Sequence, residues 1–156
     1  MRGTLADMMA RVAQPGRVTW IGGRSGRREE VVAVERVLVK PGGLQGDHAR
    51  KGKRAVTLVQ AEHLLAIGSF LGAGPVAPEV LRRNLVVEGI NLLGLKEREV
   101  RIGGALLRLT VPCHPCSRME EALGPGGYAA MRGHGGWCAE VLEPGEVALG
   151  DRVEPV

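Results

Sequence analysis

Glycine-rich turns divide this chain into many short segments, and this division is the feature that most constrains its fold. The 156 residues include 24 glycines and 9 prolines, whereas these residues average about 7% and 5% of proteins. The segments between the turns are rich in β-branched residues and alternate in polarity, most clearly at residues 30–39. Many short strands at close spacing predict a barrel, since closure removes exposed strand edges.

We predict eight strands and three short helices along the chain. The expected strands cover residues 18–21, 30–39, 55–60, 85–88, 99–102, 105–111, 136–142 and 152–156. The expected helices cover residues 61–71, 78–83 and 117–123, and Leu64, Leu65, Ile67 and Leu71 can share the buried face of the first. The sequence therefore predicts a mainly β protein with a few short helices. We expect one domain over residues 1–156, with residues 1–15 as an N-terminal extension.

The charge balance is compatible with an anionic ligand or nucleic acid, although GC-rich coding or growth at high temperature produces the same excess of arginine. The formal net charge is +4, and 17 arginines outnumber 4 lysines; the planar arginine fork suits phosphate and carboxylate groups. Aromatic residues make up 3% of the chain, which disfavours nucleic acid as a partner because single strands are bound by stacking. The sequence contains no apolar run of about 18 residues or more, so we expect no membrane-spanning helix. Three cysteines without a secretion signal are expected to be reduced, in a cytoplasmic protein.

The densest group of reactive side chains lies at residues 111–118, Val-Pro-Cys-His-Pro-Cys-Ser-Arg. Cys116 falls at the predicted start of a helix, where unpaired backbone N–H groups favour an anion. Arg118 lies nearby and favours a thiolate, which is both a nucleophile and a soft metal ligand. Alternatively, Cys113 and Cys116 are small buried hydrophobic residues, as free cysteines often are.

A second interpretation assigns the same segment to zinc. Cys113 and Cys116 are followed by His134 and Cys138, in a C-x2-C…H-x3-C order near that of zinc fingers. Such a chain would be a zinc-organised, non-catalytic binding module. Against this, Cys138 lies in a predicted strand, and a chain of this length can build its own core.

Polar residues elsewhere give weaker signals when taken singly. Arg82 and Asn84 lie two residues apart in extended chain, so both side chains can point the same way and hold a phosphate and a polar group. His48 follows Gly46-Asp47 in a polar loop, where a histidine is more often a turn residue with a backbone hydrogen bond than a catalytic base.

Six motifs in order resemble the MOSC domain, which is found at the carboxyl end of molybdenum cofactor sulfurases. The resemblance covers residues 16–156 and is closest to the small stand-alone bacterial MOSC proteins. The motifs are Gly43-Leu44-Gln45-Gly46-Asp47-His48, Arg54-Ala55-Val56-Thr57-Leu58, Arg82-Arg83-Asn84-Leu85, Ile102-Gly103, Pro115-Cys116 and Gly145-Glu146-Val147-Ala148-Leu149-Gly150-Asp151.

The resemblance implies a MOSC-type β-barrel and a role in molybdenum cofactor chemistry. It implies that Cys116 carries sulfur as a persulfide or ligates molybdenum, so the protein is a sulfur carrier or a component of a molybdenum cofactor-dependent reductase. It further implies that Arg82 and Asn84 line the site for the pterin and its phosphate. The residues matching His48, Arg54 and Thr57 belong to the same region in the family.

Two departures from the family pattern bear on the activity. Pro115 precedes the cysteine where the sulfurase and amidoxime-reductase branches have arginine, and Arg83 stands where glutamate is frequent. The chain is too short to include the pyridoxal-phosphate desulfurase domain of a full sulfurase. We therefore expect a separate cysteine desulfurase or a redox partner protein. A family fold that has lost its site is the remaining alternative.

Overall fold

A closed barrel of seven strands forms the body of the protein. The computed structural model describes residues 3–156. The barrel runs in the order β1-β11-β7-β8-β9-β5-β6 and closes where β6 pairs with β1, and β2 extends it beside β1. Its strands are β1 (Gly16–Gly23), β2 (Val32–Val34), β5 (Val56–Gln60), β6 (Leu85–Glu88), β7 (Glu99–Ile102), β8 (Ala105–Pro112), β9 (Trp137–Glu143) and β11 (Arg152–Pro155).

A smaller sheet and several short helices surround the barrel. The sheet has the order β10-β3-β4. Its strands are β3 (Arg36–Lys40), β4 (Gly43–Leu44) and β10 (Gly145–Ala148). The helices are α1 (Leu5–Ala10), α2 (Ala61–Phe70), α3 (Pro78–Leu81), α4 (Ser117–Leu123) and α5 (Gly127–Met131), with a 3₁₀ turn at Leu92–Leu95. None of the helices in residues 3–156 is long and apolar enough to cross a membrane.

The predicted fold class is confirmed, and one strand differs from the prediction. The structure is mainly β with a closed barrel and a few short helices, as expected. Residues 30–39 were predicted as one strand but form β2 and β3, which are separated at Glu35 and belong to different sheets. Leu65, predicted on the buried face of its helix, is exposed, while Leu64 and Ile67 are buried.

The helices cover one face of the barrel. β5 and β6 are parallel neighbours, so the chain between them must cross over, and it does so through α2 and α3. Buried residues of α2, α3, α4 and α5 form a second apolar cluster on the outer face of β5 and β6. This arrangement places Arg82, at the end of α3, beside α4, the helix that follows Cys116.

Candidate functional site

Two arginine side chains converge on one backbone oxygen. Arg24 follows β1 and Arg82 follows α3, and Nη1 of each donates to the carbonyl of Arg27, the bond from Arg82 measuring 3.3 Å. Burial, and then the positive charges of Arg82 and Arg118, lower the pKa of the Arg24 guanidinium, whereas Asp47 opposes the shift. We call Arg24, Arg27, Arg82 and Arg118 the arginine cluster. Its charge excess suits an anion.

Arg82 occupies its place in the cluster at a conformational cost. Its φ of 57° and ψ of 32° lie in the left-handed region, which costs a non-glycine residue about 1–2 kcal/mol. Strained backbone of this kind is concentrated at functional sites. A glycine would end α3 without strain, so the strain at this position is the cost of having the arginine side chain there.

Asn84 is a buried anchor that connects three segments of the site. Its Oδ1 accepts from the backbone N–H of Thr57 at 2.9 Å and from the Thr57 hydroxyl at 3.2 Å. Its Nδ2 donates to the carbonyl of Gly22 at 3.2 Å and to Oδ2 of Asp47 at 3.1 Å. The side chain is 6% exposed. Since both ends of the amide are already bonded to protein, Asn84 holds the site together.

Asp47 carries this network to the arginine cluster. Its Oδ1 accepts from the backbone N–H of Arg24 at 2.8 Å, while its Oδ2 holds Asn84. The next residue, His48, donates its backbone N–H to the carbonyl of Arg24 at 2.6 Å, and its side chain is exposed. The structure therefore brings the predicted residues His48, Thr57, Arg82 and Asn84 to one region.

Cys116 presents a free thiol next to the arginine cluster in sequence. It lies directly before α4 in extended conformation, and its side chain is exposed. Arg118, two residues later, acts on Arg24 through its charge. The thiol of Cys116 is thus accessible to a partner or ligand, and Arg118, in the first turn of α4, belongs to the arginine cluster.

Arg54 and Arg83 belong to the surroundings of two cysteines, Cys113 and Cys138, and the role that the resemblance implies for Arg54 stays a prediction. Both guanidinium groups act on the sulfur atoms of Cys113 and Cys138. Arg83 also donates to the carbonyls of Gly135 at 2.7 Å and Leu81 at 3.0 Å. It therefore ties the loop before β9 to the end of α3, a task that the usual glutamate could not perform in this way.

The zinc-site prediction is wrong. Among residues 3–156, no three histidine, cysteine or acidic side chains come together as metal ligands. Cys113 and Cys138 are in contact, but the His134 ring packs against His63 and Phe70 instead. The stiff His114-Pro115 segment leads Cys116 away to the surface. Cys113, Cys116, His134 and Cys138 therefore have the sequence spacing of a zinc site but do not come together in space.

A cavity of about 510 Å³ borders the loops that hold Arg24 and Asp47. Its size lies within the range of small-molecule sites, roughly 300–1,000 Å³. Its wall combines loop backbone and apolar side chains with the amide of Gln45 and with the ion pair of Arg36 and Glu146. A flat heterocycle with polar edges suits such a lining.

Sequence reasoning missed Arg24, Arg27 and Asp47. A usable signal was present, because Gly22-Gly23-Arg24-Ser25-Gly26-Arg27-Arg28 is a glycine- and arginine-rich loop directly after a strand. Such a loop lets backbone and guanidinium groups approach an anion closely.

Comparisons with known proteins agree with this fold. The family model described as the MOSC domain matches residues 45–154. The YuaD protein of Bacillus subtilis has a similar structure, with a TM-score of 0.78 at 21% identity, covering 91% of this chain and 96% of that one. YiiM of Escherichia coli gives a TM-score of 0.71 at 24% identity, covering 90% of this chain and 69% of that one. YiiM of Geobacillus stearothermophilus gives 0.73 at 19% identity, covering 91% and 75%. No curated protein matches the sequence significantly.

Proposed function

Because this chain belongs to the MOSC domain family, we propose that it binds the molybdenum cofactor at the arginine cluster and serves it through the sulfur of Cys116. The observation that supports this most strongly is the convergence of Arg24 and Arg82 on the carbonyl of Arg27, with the charge of Arg118 close by. Asp47 is the single carboxylate whose negative charge acts on Arg24 against the charges of these arginines.

The residues of the cluster fit the phosphate of the cofactor. A guanidinium has five N–H donors, so Arg24 and Arg82 keep donors for a ligand beyond those bonded to Arg27. Planar forks bind phosphate oxygens in pairs, which fixes both position and orientation. The bordering cavity, lined by Gln45 and loop backbone, offers amide and peptide groups to the pterin ring.

The surrounding residues hold this site in shape before a ligand arrives. Thr57, Asn84 and Asp47 form a continuous hydrogen-bonded chain from β5 to the loop of Arg24. We assign them a positioning role, and we assign direct phosphate contact to Arg24 and Arg82. The bound cofactor would supply a redox-active metal held by sulfur ligands.

Cys116 is the residue that we propose to exchange sulfur with the cofactor or to ligate its metal. Its thiol is exposed and free. As a sulfur carrier, its thiolate would attack the outer sulfur of a desulfurase persulfide, form a Cys116 persulfide and release the desulfurase thiolate. A separate cysteine desulfurase is then the partner. As a metal ligand, the same thiolate would bind molybdenum, and the partner would be a redox protein.

Labelled sulfur separates these two roles. The protein is incubated with a cysteine desulfurase and ³⁵S-cysteine, and bound label and molybdenum are measured after desalting. A carrier takes up one reductant-labile sulfur per chain, which Cys116→Ser abolishes and Cys113→Ser and Cys138→Ser retain. A metal ligand takes up no label, but Cys116→Ser loses bound molybdenum. Unchanged label and molybdenum in Cys116→Ser would contradict the assignment of Cys116.

A further inference from the structure

Two thiols outside the proposed cofactor site face each other across neighbouring strands. Cys113 directly follows β8, Cys138 lies in β9, and their Sγ atoms are 3.0 Å apart. The backbone supports the pairing, because the N–H of Cys113 donates to the carbonyl of Gly136 at 2.8 Å. This backbone bond lies one residue beyond the end of β8 and one before the start of β9, so it holds Cys113 directly at the end of the paired strands.

Two glycines let the chain before β9 lie close to Cys113 and to β5. A Cβ at Gly135 would collide with the carbonyl oxygen of Cys113, and one at Gly136 with that of Leu58. Gly136 also has a φ of 93°, an angle that residues with a side chain rarely adopt. A larger residue at Gly135 would push the start of β9 away from Cys113, and one at Gly136 would push it away from β5, so Gly135 maintains the sulfur contact and Gly136 the position of β9.

The surroundings of the pair favour one negative charge on it. The hydrogen bond from Cys113 is the main cause that lowers the pKa of Cys138, to about 7, and the charges of Arg54 and Arg83 add to it. The same hydrogen bond and then burial raise the pKa of Cys113. The pair thus loses one proton readily and shares the other between its two sulfur atoms.

We propose that Cys113 and Cys138 form a reversible disulfide in exchange with small disulfides of the glutathione class. Cys113 is the entry point, because it is half-buried whereas Cys138 is 4% exposed. Cys113 attacks the small disulfide as its proton moves to the Cys138 thiolate, giving a mixed disulfide and one released small thiolate, which then takes that proton from Cys138. The Cys138 thiolate then attacks Sγ of Cys113 and releases the second small thiol. Two protein thiols are oxidised and one small disulfide is reduced to two thiols.

This disulfide would close the chain segment that carries Cys116. The segment between Cys113 and Cys138 spans 25 positions and includes Cys116, α4 and α5. A bond at its base would tie both ends of the segment to the barrel. The proposal does not require that Cys116 carries sulfur or binds metal, since it rests on the two paired strands alone.

Equilibration with glutathione tests the proposal on the full-length chain. The Cys116→Ser variant, which lacks the exposed thiol, is held at defined ratios of reduced to oxidised glutathione, blocked with an alkylating reagent and weighed by mass spectrometry. We expect both remaining thiols to disappear together as the ratio falls. The product should lack two hydrogen atoms, carry no glutathione and give a peptide that joins Cys113 to Cys138.

Matched variants identify the role of each sulfur. Cys113 alone, in the Cys116→Ser/Cys138→Ser variant, should hold one glutathione, because no second thiol removes it. Cys138 alone, in the Cys113→Ser/Cys116→Ser variant, should stay unmodified because it is buried. Two alkylated thiols in Cys116→Ser under fully oxidised glutathione, or two stable glutathione adducts, would overturn the proposal. A disulfide between two chains would overturn it as well.

Discussion

Asn84 donates a side-chain N–H to Oδ2 of Asp47 across 3.1 Å. Through this bond the start of β6 holds the loop after β4, and the other oxygen of Asp47 holds the backbone of Arg24. The arginine cluster is thus fixed by a carboxylate that is itself fixed by a buried amide. Preorganised polar groups of this kind bind a ligand with little reorganisation.

Replacing this amide by a carboxylate should make the stability of the protein depend on pH. In Asn84→Asp, an oxygen would lie where Nδ2 now stands, 3.1 Å from Oδ2 of Asp47. Two adjacent carboxylates raise the pKa of one of them, so the folded state holds a proton more tightly than the unfolded one. The contribution of this pair to stability, relative to the uncharged control, should therefore be complete below about pH 4 and be lost as the pH rises through the raised pKa. Urea denaturation at several pH values measures this, with Asn84→Leu as the uncharged control; parallel curves for the two variants would contradict it.

Arg82→Gly should weaken phosphate binding and leave the fold intact. Glycine relieves a strain of about 1–2 kcal/mol but adds about 0.5–1 kcal/mol of unfolded-chain entropy, so the free energy of unfolding should change by about 1 kcal/mol or less. Glu97 has a similar φ of 60°. Glu97→Gly is thus the matched control, with the same small change in stability and unchanged phosphate binding. A large loss of stability in Arg82→Gly alone would mean that Arg82 supports the fold.

His63 should make the protein less stable in mild acid. Its ring centroid is 4.6 Å from that of His134, and burial, followed by the charge of His134, lowers the pKa of His63 below 6.5 against the opposing charge of Glu62. The folded state disfavours the protonated ring, so this contribution is complete above pH 6.5 and is lost as the pH falls through the lowered value. Between about pH 7.5 and pH 5, His63→Gln should lose less stability than the wild type. The exposed His114→Gln should behave as the wild type does; equal losses in all three proteins would contradict this assignment.

Oxidation of the Cys113–Cys138 pair should stabilise the fold. Closing a segment of 25 positions reduces the entropy of the unfolded chain, which is worth about 3 kcal/mol in the loop-closure model. Urea denaturation of Cys116→Ser, oxidised and then reduced, measures the difference. Cys116→Ser/Cys138→Ser, treated in the same way, should show no such gain. A gain in that control would mean that oxidation acts elsewhere.

Local sequence pattern predicted the elements that depend on local signals. β6, β7 and α4 have the predicted bounds, since a glycine directly follows each of them. The pattern could not divide residues 30–39, because valines recur in both strands and only the tertiary structure separates them into two sheets. β10 was missed as a strand because its partner β3 is distant in sequence.

The candidate site was predictable as a set of residues more than as a set of roles. Arg82 and Asn84 were predicted as a pair of ligand contacts, yet burial and four hydrogen bonds give Asn84 a positioning role. The spacing of Cys113, Cys116, His134 and Cys138 predicted one metal centre, but sequence spacing does not show which way the chain turns at Pro115. The glycine- and arginine-rich loop marks Arg24 as a candidate, but only its long-range contact with Asp47 places it beside Asn84.

Cofactor affinity tests the central claim most directly. Molybdenum cofactor released from a donor protein is titrated into the wild type, into Arg24→Ala/Arg82→Gly and into Arg11→Ala/Arg132→Ala, a charge-matched control that removes two exposed arginines outside the cluster. Losing even one charge-assisted hydrogen bond of about 1.5 kcal/mol weakens binding roughly tenfold. We predict one site per chain, an affinity at least about tenfold lower in the cluster variant and no change in the control. Equal affinity in all three proteins, or no binding by the wild type, would contradict the account.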